Sequence, residues 1–130
     1  MSWQWVAREV VFAVHDKQLA VHGGLGGIRD LNAVESAINR AQNPDAYGNP
    51  PPDVADLAAA YIYGMATSYG FSDGNKRTAY VALKTFILLN GCDFPVREVD
   101  AVIHMLKMAA GEESDEDFID WVRGVMTVPR

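Results

Sequence analysis

Cysteine is all but missing from this chain. Cys92 is its one thiol, so no internal disulfide can form. It stands between Asn90-Gly91 and Asp93-Phe94-Pro95 with no base beside it, and it reads as a packing residue. No apolar run reaches the roughly 20 residues of a membrane-spanning helix. No leader-like segment opens the sequence, which fits a cytoplasmic protein. Repeats and low-complexity tracts are lacking as well. So is basic charge: 11 Lys and Arg face 17 Asp and Glu, a net charge of -6. Broad nucleic-acid binding wants the opposite sign, so DNA binding by this chain alone is not expected. What is present is an ordinary globular composition, 49% hydrophobic and 22% charged over 130 residues. That suits one domain over 1–130 with a core of its own.

The periodicity is helical throughout. Residues 3–20 read as a first helix, striped by Val6, Val10, Val11 and Val14 and extended by Trp3. His15 reads as a satisfied structural residue. His15 and His22 are too loosely spaced, and too short of a third ligand, to hold a metal. The glycine-rich residues 23–27 must leave the helix as a loop. They lack the strand-before, helix-after context of a dinucleotide fingerprint. Asp30 is placed to cap a helix over 31–41, with Arg29 before it as a surface ion-pairing residue. The proline-rich residues 43–52 read as a loop, and Asp53 as the cap of a helix starting near Val54. In that helix Gly64 costs about 1 kcal/mol against Ala, which predicts a close neighbour or a bend. The helix ending near Leu89 is apolar nearly all round and is expected at the centre of the core. Val99, Val102, Ile103 and Leu106 stripe the next one, with His104 off the stripe and expected in solvent. Acidic residues between Glu112 and Asp120 favour the start of a last helix capped by Ser114, with Phe118, Ile119, Val122, Val125 and Met126 buried.

Between the third and fourth of these helices lies Tyr69-Gly70-Phe71-Ser72-Asp73-Gly74-Asn75-Lys76-Arg77. Asp73-Gly74-Asn75 is a tight turn by composition. A helix N-terminus follows, and its N–H groups and positive dipole end suit phosphate. Lys76 and Arg77 add positive charge where a helix prefers acids, a broken local rule of the kind found at functional sites. Asp73 is a hard oxygen ligand that could share Mg²⁺ with phosphates. Lys76 could place a point charge on one phosphate and Arg77 a two-pronged donor on another. Asn75 can donate from its amide or shape the turn. Read from spacing alone, the plain alternative is a helix–turn–helix joint with a solvated basic end.

The stretch resembles the Fic/Doc family signature, His-x-Phe-x-(Asp/Asn)-(Gly/Ala)-Asn-Lys-Arg in its Doc branch, and is compatible with it at eight of nine positions. His15-Asp16, the segment from His22 through Asp30, Glu35-Ser36-Ala37 and Asn90-Gly91 are also similar to Doc (death-on-curing) toxins. The similarity covers roughly residues 10 to 110. It implies an all-α bundle of about six helices, with the glycine-rich segment as a flap beside the active site that can hold a target peptide. Fic relatives with Gly in place of Lys76 transfer AMP. The Doc branch, with Lys there, implies ATP and Mg²⁺ as cofactors, transfer of the terminal phosphate to elongation factor Tu, and translation arrest. It also implies neutralisation by a small antitoxin of the Phd type, whose tail folds into a groove. Exposed apolar surface for that groove is expected among the first helices, at Trp3, Trp5 and Phe12.

One position departs from the signature. Tyr69 stands where the family has the histidine that serves as general base. Tyrosine has a reference pKa of about 10 against about 6.5 for histidine, so it is a poor base near neutrality. Either the branch carries Tyr naturally with altered or no activity, or the chain is a detoxified variant. A pseudoenzyme that keeps the anion pocket and binds without turnover is the alternative function class.

Overall fold

Three of the helices begin where a short acceptor side chain closes on the backbone. The computed structural model describes residues 3–24, 26–40, 42, 51–68, 70–72 and 74–128, with side chains at all of these except 66–68 and 109. Among them run α1 (Arg8–His22), α2 (Leu31–Arg40), α3 (Val54–Ser68), α4 (Asn75–Leu89), α5 (Glu98–Ala109) and α6 (Asp115–Val125). Asp30 accepts the Ala33 N–H at 3.2 Å, and Ser114 accepts the Asp117 N–H at 3.0 Å. Asp53 and Asp56 each accept the other's N–H at 2.9 Å, a reciprocal capping box. All three expected caps are in place. Asp53 also meets Arg123 of α6. Burial alone would raise its carboxyl, but those hydrogen bonds and that guanidinium hold it at about 2.

The all-α expectation holds: the described residues contain six helices and only two isolated bridges, Ile28 with Phe71 and Asp93 with Thr127. Helix α4 is the centre and packs on α1, α3 and α5. Its buried side includes Thr78, Ala79, Ala82, Leu83, Phe86 and Ile87, although Leu88 and Leu89 at its end are half exposed. Helix α3 lies against it and buries Leu57, Ala58, Tyr61, Ile62 and Met65. The neighbour expected at Gly64 is Ala37 of α2: a Cβ on Gly64 would lie 2.8 Å from the Ala37 Cα. No helix among the described residues is long and apolar enough to cross a membrane.

Three expectations are corrected. Helix α1 begins at Arg8, not near residue 3, because Ala7 is extended at φ -66, ψ 146. In the extended segment before it, the two-residue period turns Trp3 and Trp5 the same way, onto Phe86, with ring centroids 6.2 and 5.4 Å away. Helix α5 is rotated from its apolar stripe: it buries Ala101, Met105 and Met108 and leaves Val99, Ile103 and Leu106 half exposed. His104 is therefore not in open solvent. It stacks on Trp121 at 3.9 Å, and its Nδ1 meets the Glu113 carboxylate at 2.9 Å. The loop expected over 43–52 lies outside the described residues apart from 51–52.

Candidate functional site

The turn between α3 and α4 is fixed from several sides, and Phe71 is where they meet. Its ring is buried, stacked on His15 of α1 at 3.7 Å and 12°, with Phe12 at its edge 5.8 Å away. Arg8 lies over the Phe12 ring at 5.0 Å and pairs with Glu35 of α2 at 2.8 Å. The backbone of Phe71 is held by Asn75. The carboxamide accepts its N–H at 3.1 Å and donates to its C=O at 2.9 Å. Of the two tasks open to Asn75, its side chain therefore performs the turn-shaping one. Gly70 fits against α2 only because it lacks a Cβ, which would stand 2.5 Å from Val34 Cγ2.

The glycine-rich segment docks on the same turn. Ile28 pairs with Phe71 as an antiparallel bridge, and the Ser72 N–H donates to the Gly27 C=O at 3.2 Å. The Arg29 and Asp30 N–H groups both donate to the Gly70 C=O at 2.9 Å. The segment lies beside the turn, where a flap would stand. Gly74 then takes the left-handed conformation at φ 78 and hands the chain to α4, whose Thr78 N–H closes on the Gly74 C=O at 3.0 Å.

The head of α4 is unlike those of α5 and α6. Helix α5 carries Glu98 and Asp100 in its first turn, and α6 carries three acids. Helix α4 carries none, and has Lys76 and Arg77 there instead. Its positive dipole end is thus reinforced rather than offset, which is the electrostatics of an anion site. Lys76 is half-buried. Arg77 reaches sideways to α5, where its Nε stands 4.0 Å from Glu98 Oε1. Near that carboxylate, burial and then the Glu98 charge push the Tyr80 phenol up. Arg77 and Glu98 line a cavity of about 390 Å³ with His22, Val99 and Val102.

Tyr69 and Asp73 lie outside the described residues. Among those described, no cluster of three or more His, Cys, Asp and Glu could hold a metal. The structure does not gather Trp3, Trp5 and Phe12 into an open groove. Trp3 and Trp5 pack on Phe86 and Phe12 packs on Phe71, while exposed apolar side chains occur both among the first helices, at Val10, Val21, Ile28 and Leu31, and on α5, at Val99, Ile103 and Leu106.

A family model described as the Fic/DOC family matches residues 5–87. The chain belongs to the Fic/DOC family. Its matched part spans α1 to α4, and so includes the clamped turn and the segment docked on it. Within Fic/DOC the chain is similar to "Protein kinase doc" of Escherichia phage P1, 34% identical over 86 residues, which cover 66% of this chain and 68% of that protein. It is also similar to "Toxin Doc" of Mycolicibacterium smegmatis, 33% identical over 102 residues, 75% of each. The Doc branch read from the nine-residue signature is therefore borne out.

Two contacts at the turn escaped the sequence reading. His15 was legible as a structural residue, but nothing local announces that it supports Phe71. Glu98 carries no signal at all, since it reaches Arg77 only through the packing of α5 beside α4.

Proposed function

We propose that this chain is a Doc-type toxin of a toxin–antitoxin pair, built to transfer the terminal phosphate of ATP to a hydroxyl of elongation factor Tu and neutralised by a Phd-type antitoxin. The observation that carries the reading is the head of α4: a left-handed Gly74, a first turn with Lys76 and Arg77 and no acid, and a backbone clamped through Phe71. Such an end binds phosphate through amide N–H groups and fixed positive charge. ATP with Mg²⁺ supplies the transferable group when bound. Mg²⁺ needs few protein ligands when phosphates share it, so Asp73 as one carboxylate donor suits it. Lys76 and Arg77 bind and orient the phosphates, and the segment at Ile28 sits where it can align the target chain. As the target oxygen bonds to the terminal phosphorus, the bond to the bridging oxygen breaks and ADP leaves. The proton of the target hydroxyl needs a base, and Tyr69 is a poor one.

We therefore expect low activity in this form. General-base loss removes a factor of about 10²–10⁴ in rate. Tyr69→His should restore growth arrest on induction and transfer of label from γ-labelled ATP to elongation factor Tu. Asp73→Ala in that background should abolish both. A folded but harmless and inert Tyr69→His protein would overturn the kinase reading and favour the pseudoenzyme, which Tyr69 itself supports. Label transferred from the α-phosphate instead would make the chain an AMP-transferring enzyme.

A further inference from the structure

A second cavity, of about 450 Å³, lies between α5 and α6 and shares no lining residue with the one beside Arg77. Its volume is within the range of small-molecule pockets. Pro95, Val96, Ile103 and Val125 give it an apolar wall, and Trp121 an aromatic one. Arg97 and Asp100 also line it, but they neutralise each other through two hydrogen bonds of 3.0 and 3.3 Å. The polar group that remains is His104. Its ring is oriented twice, by stacking on Trp121 at 3.9 Å and 18°, and by an Nδ1 that stands 3.0 and 2.9 Å from the two Glu113 oxygens. Phe94 meets the edge of Trp121 at 5.8 Å, so the indole is itself fixed. A carboxylate accepts and does not donate, so Nδ1 carries the proton and Nε2 of the neutral ring is an acceptor. That Nε2 has no hydrogen-bond partner among the described residues. Glu113 is 12% exposed and off the cavity wall, whereas His104 is 27% exposed and part of it. A tie between α5 and the α5–α6 joint accounts for the Nδ1 contact alone. It has no use for an imidazole held edge-on to a cavity.

Balanced charge, an apolar wall and one fixed acceptor select a neutral, mostly apolar molecule that brings a single O–H or N–H. A flat aromatic body suits walls that include an indole and a proline ring. We propose that this cavity binds a small neutral aromatic molecule of the phenol or indole class, whose O–H or N–H donates to His104 Nε2. Glu113 is then a positioning residue, which fixes the tautomer and the direction of the ring. The site is independent of the anion site at the head of α4.

The test is an NMR titration of the full chain with phenol and with anisole, the same ring with its donor methylated. Phenol should bind about fivefold tighter, as expected for one neutral hydrogen bond. The largest shifts should fall on the Trp121 indole and the His104 ring, and the nitrogen signal of His104 Nε2 should move with phenol but not with anisole. The double variant His104→Phe with Glu113→Gln keeps a flat ring on Trp121 and strands no charge, and a thermal melt confirms its fold. It should bind phenol and anisole alike. Loss of the preference together with the donor's partner is the double-mutant signature of direct contact. The Nε2 signal is read on the wild type and decides the question even where the double variant fails to fold. Equal affinity for phenol and anisole in the wild type, or an unchanged preference in the double variant, overturns the site. So do shifts centred elsewhere, at Trp3 and Trp5 for example, and so does a Trp121 signal that stays still up to the solubility of phenol.

Discussion

Phe71 is met by His15 on its face, by Phe12 on its edge and by Asn75 and Ile28 along its backbone, whereas Leu106, two helices further on, turns half its surface outward. Both are large apolar residues, and both belong to elements that touch α4. The first serves a turn whose backbone direction must be right to a fraction of an ångström if the amides of α4 are to converge on a phosphate. The second belongs to α5, which packs on α3, α4 and α6 yet leaves that side chain half exposed. Among the described residues the turn is held by side chains of α1, by the close approach of α2 and by the segment docked at Ile28. The contrast makes definite demands on mutation, largest at the turn and smallest on the outer face of α5.

Removing the hub should have the greatest effect. Phe71→Ala deletes a buried ring, and a loss of about 3–5 kcal/mol is typical of such a change. Urea denaturation measures it. The contrast predicts a second effect, a loss of phosphate affinity larger than any from an equally buried residue far from the turn. Phe118→Ala at the α6 side of the core is the comparison, since Phe118 is also buried. Equal phosphate binding in Phe71→Ala and Phe118→Ala would break the argument that the clamp serves the site.

Next comes the wedge between α2 and α3. Val34 and Ala37 are one turn apart on α2; the first presses on Gly70 and the second on Gly64. A methyl group on Gly64 meets backbone at 2.8–2.9 Å, so α2 has to move. Overpacking of this kind costs about 1–3 kcal/mol. Helix propensity favours Ala by about 1 kcal/mol and offsets part of it. The net expectation for Gly64→Ala is a modest drop in melting temperature with a disproportionate loss of phosphate binding, because α2 also seats Gly70. A stabilised variant would show that α2 is free to shift without cost.

Much of this architecture was legible because its signals are local. Asp30, Asp53 and Ser114 cap the helices they were expected to cap, since a cap needs only a short acceptor before a helical run. Gly64 announced a close neighbour because glycine in a helix interior has to be compensated. The nine-residue signature marked the Doc branch for the same reason. The misreadings are all tertiary. Trp3 looked like an extension of the valine stripe, but the pairing of Gln4 with the Asn90 side chain at 2.9 and 3.0 Å holds that segment extended, and that pairing spans 86 residues. The stripe on α5 looked like its buried face, but packing on α3, α4 and α6 selects the side with Ala101, Met105 and Met108. Hydrophobic periodicity reports that a helix has an apolar face, and here α5 has apolar residues on two. The contact of Glu98 with Arg77 follows from that rotation and could not be seen without it.

The smallest expected effect tests the rotation directly, because adjacent residues answer oppositely. Met105 is 1% exposed and Leu106 is 48% exposed, although both are long, flexible, apolar and good helix formers. Met105→Ala opens a hole in packed core, and buried Met→Ala changes cost about 2–5 kcal/mol. Leu106→Gln removes a side chain that folding only half covers. Glutamine keeps an aliphatic stem over the same surface and has nearly the same helix propensity. Its cost should stay below about 1 kcal/mol, within reach of the scatter for surface substitutions. If the valine, isoleucine and leucine stripe were instead the buried face, the order would reverse, with Leu106→Gln placing an amide in the core and Met105→Ala nearly silent. Chemical denaturation of the two variants side by side decides between these outcomes. The expected order also means that the apolar character of Leu106 contributes little to the fold of the free chain.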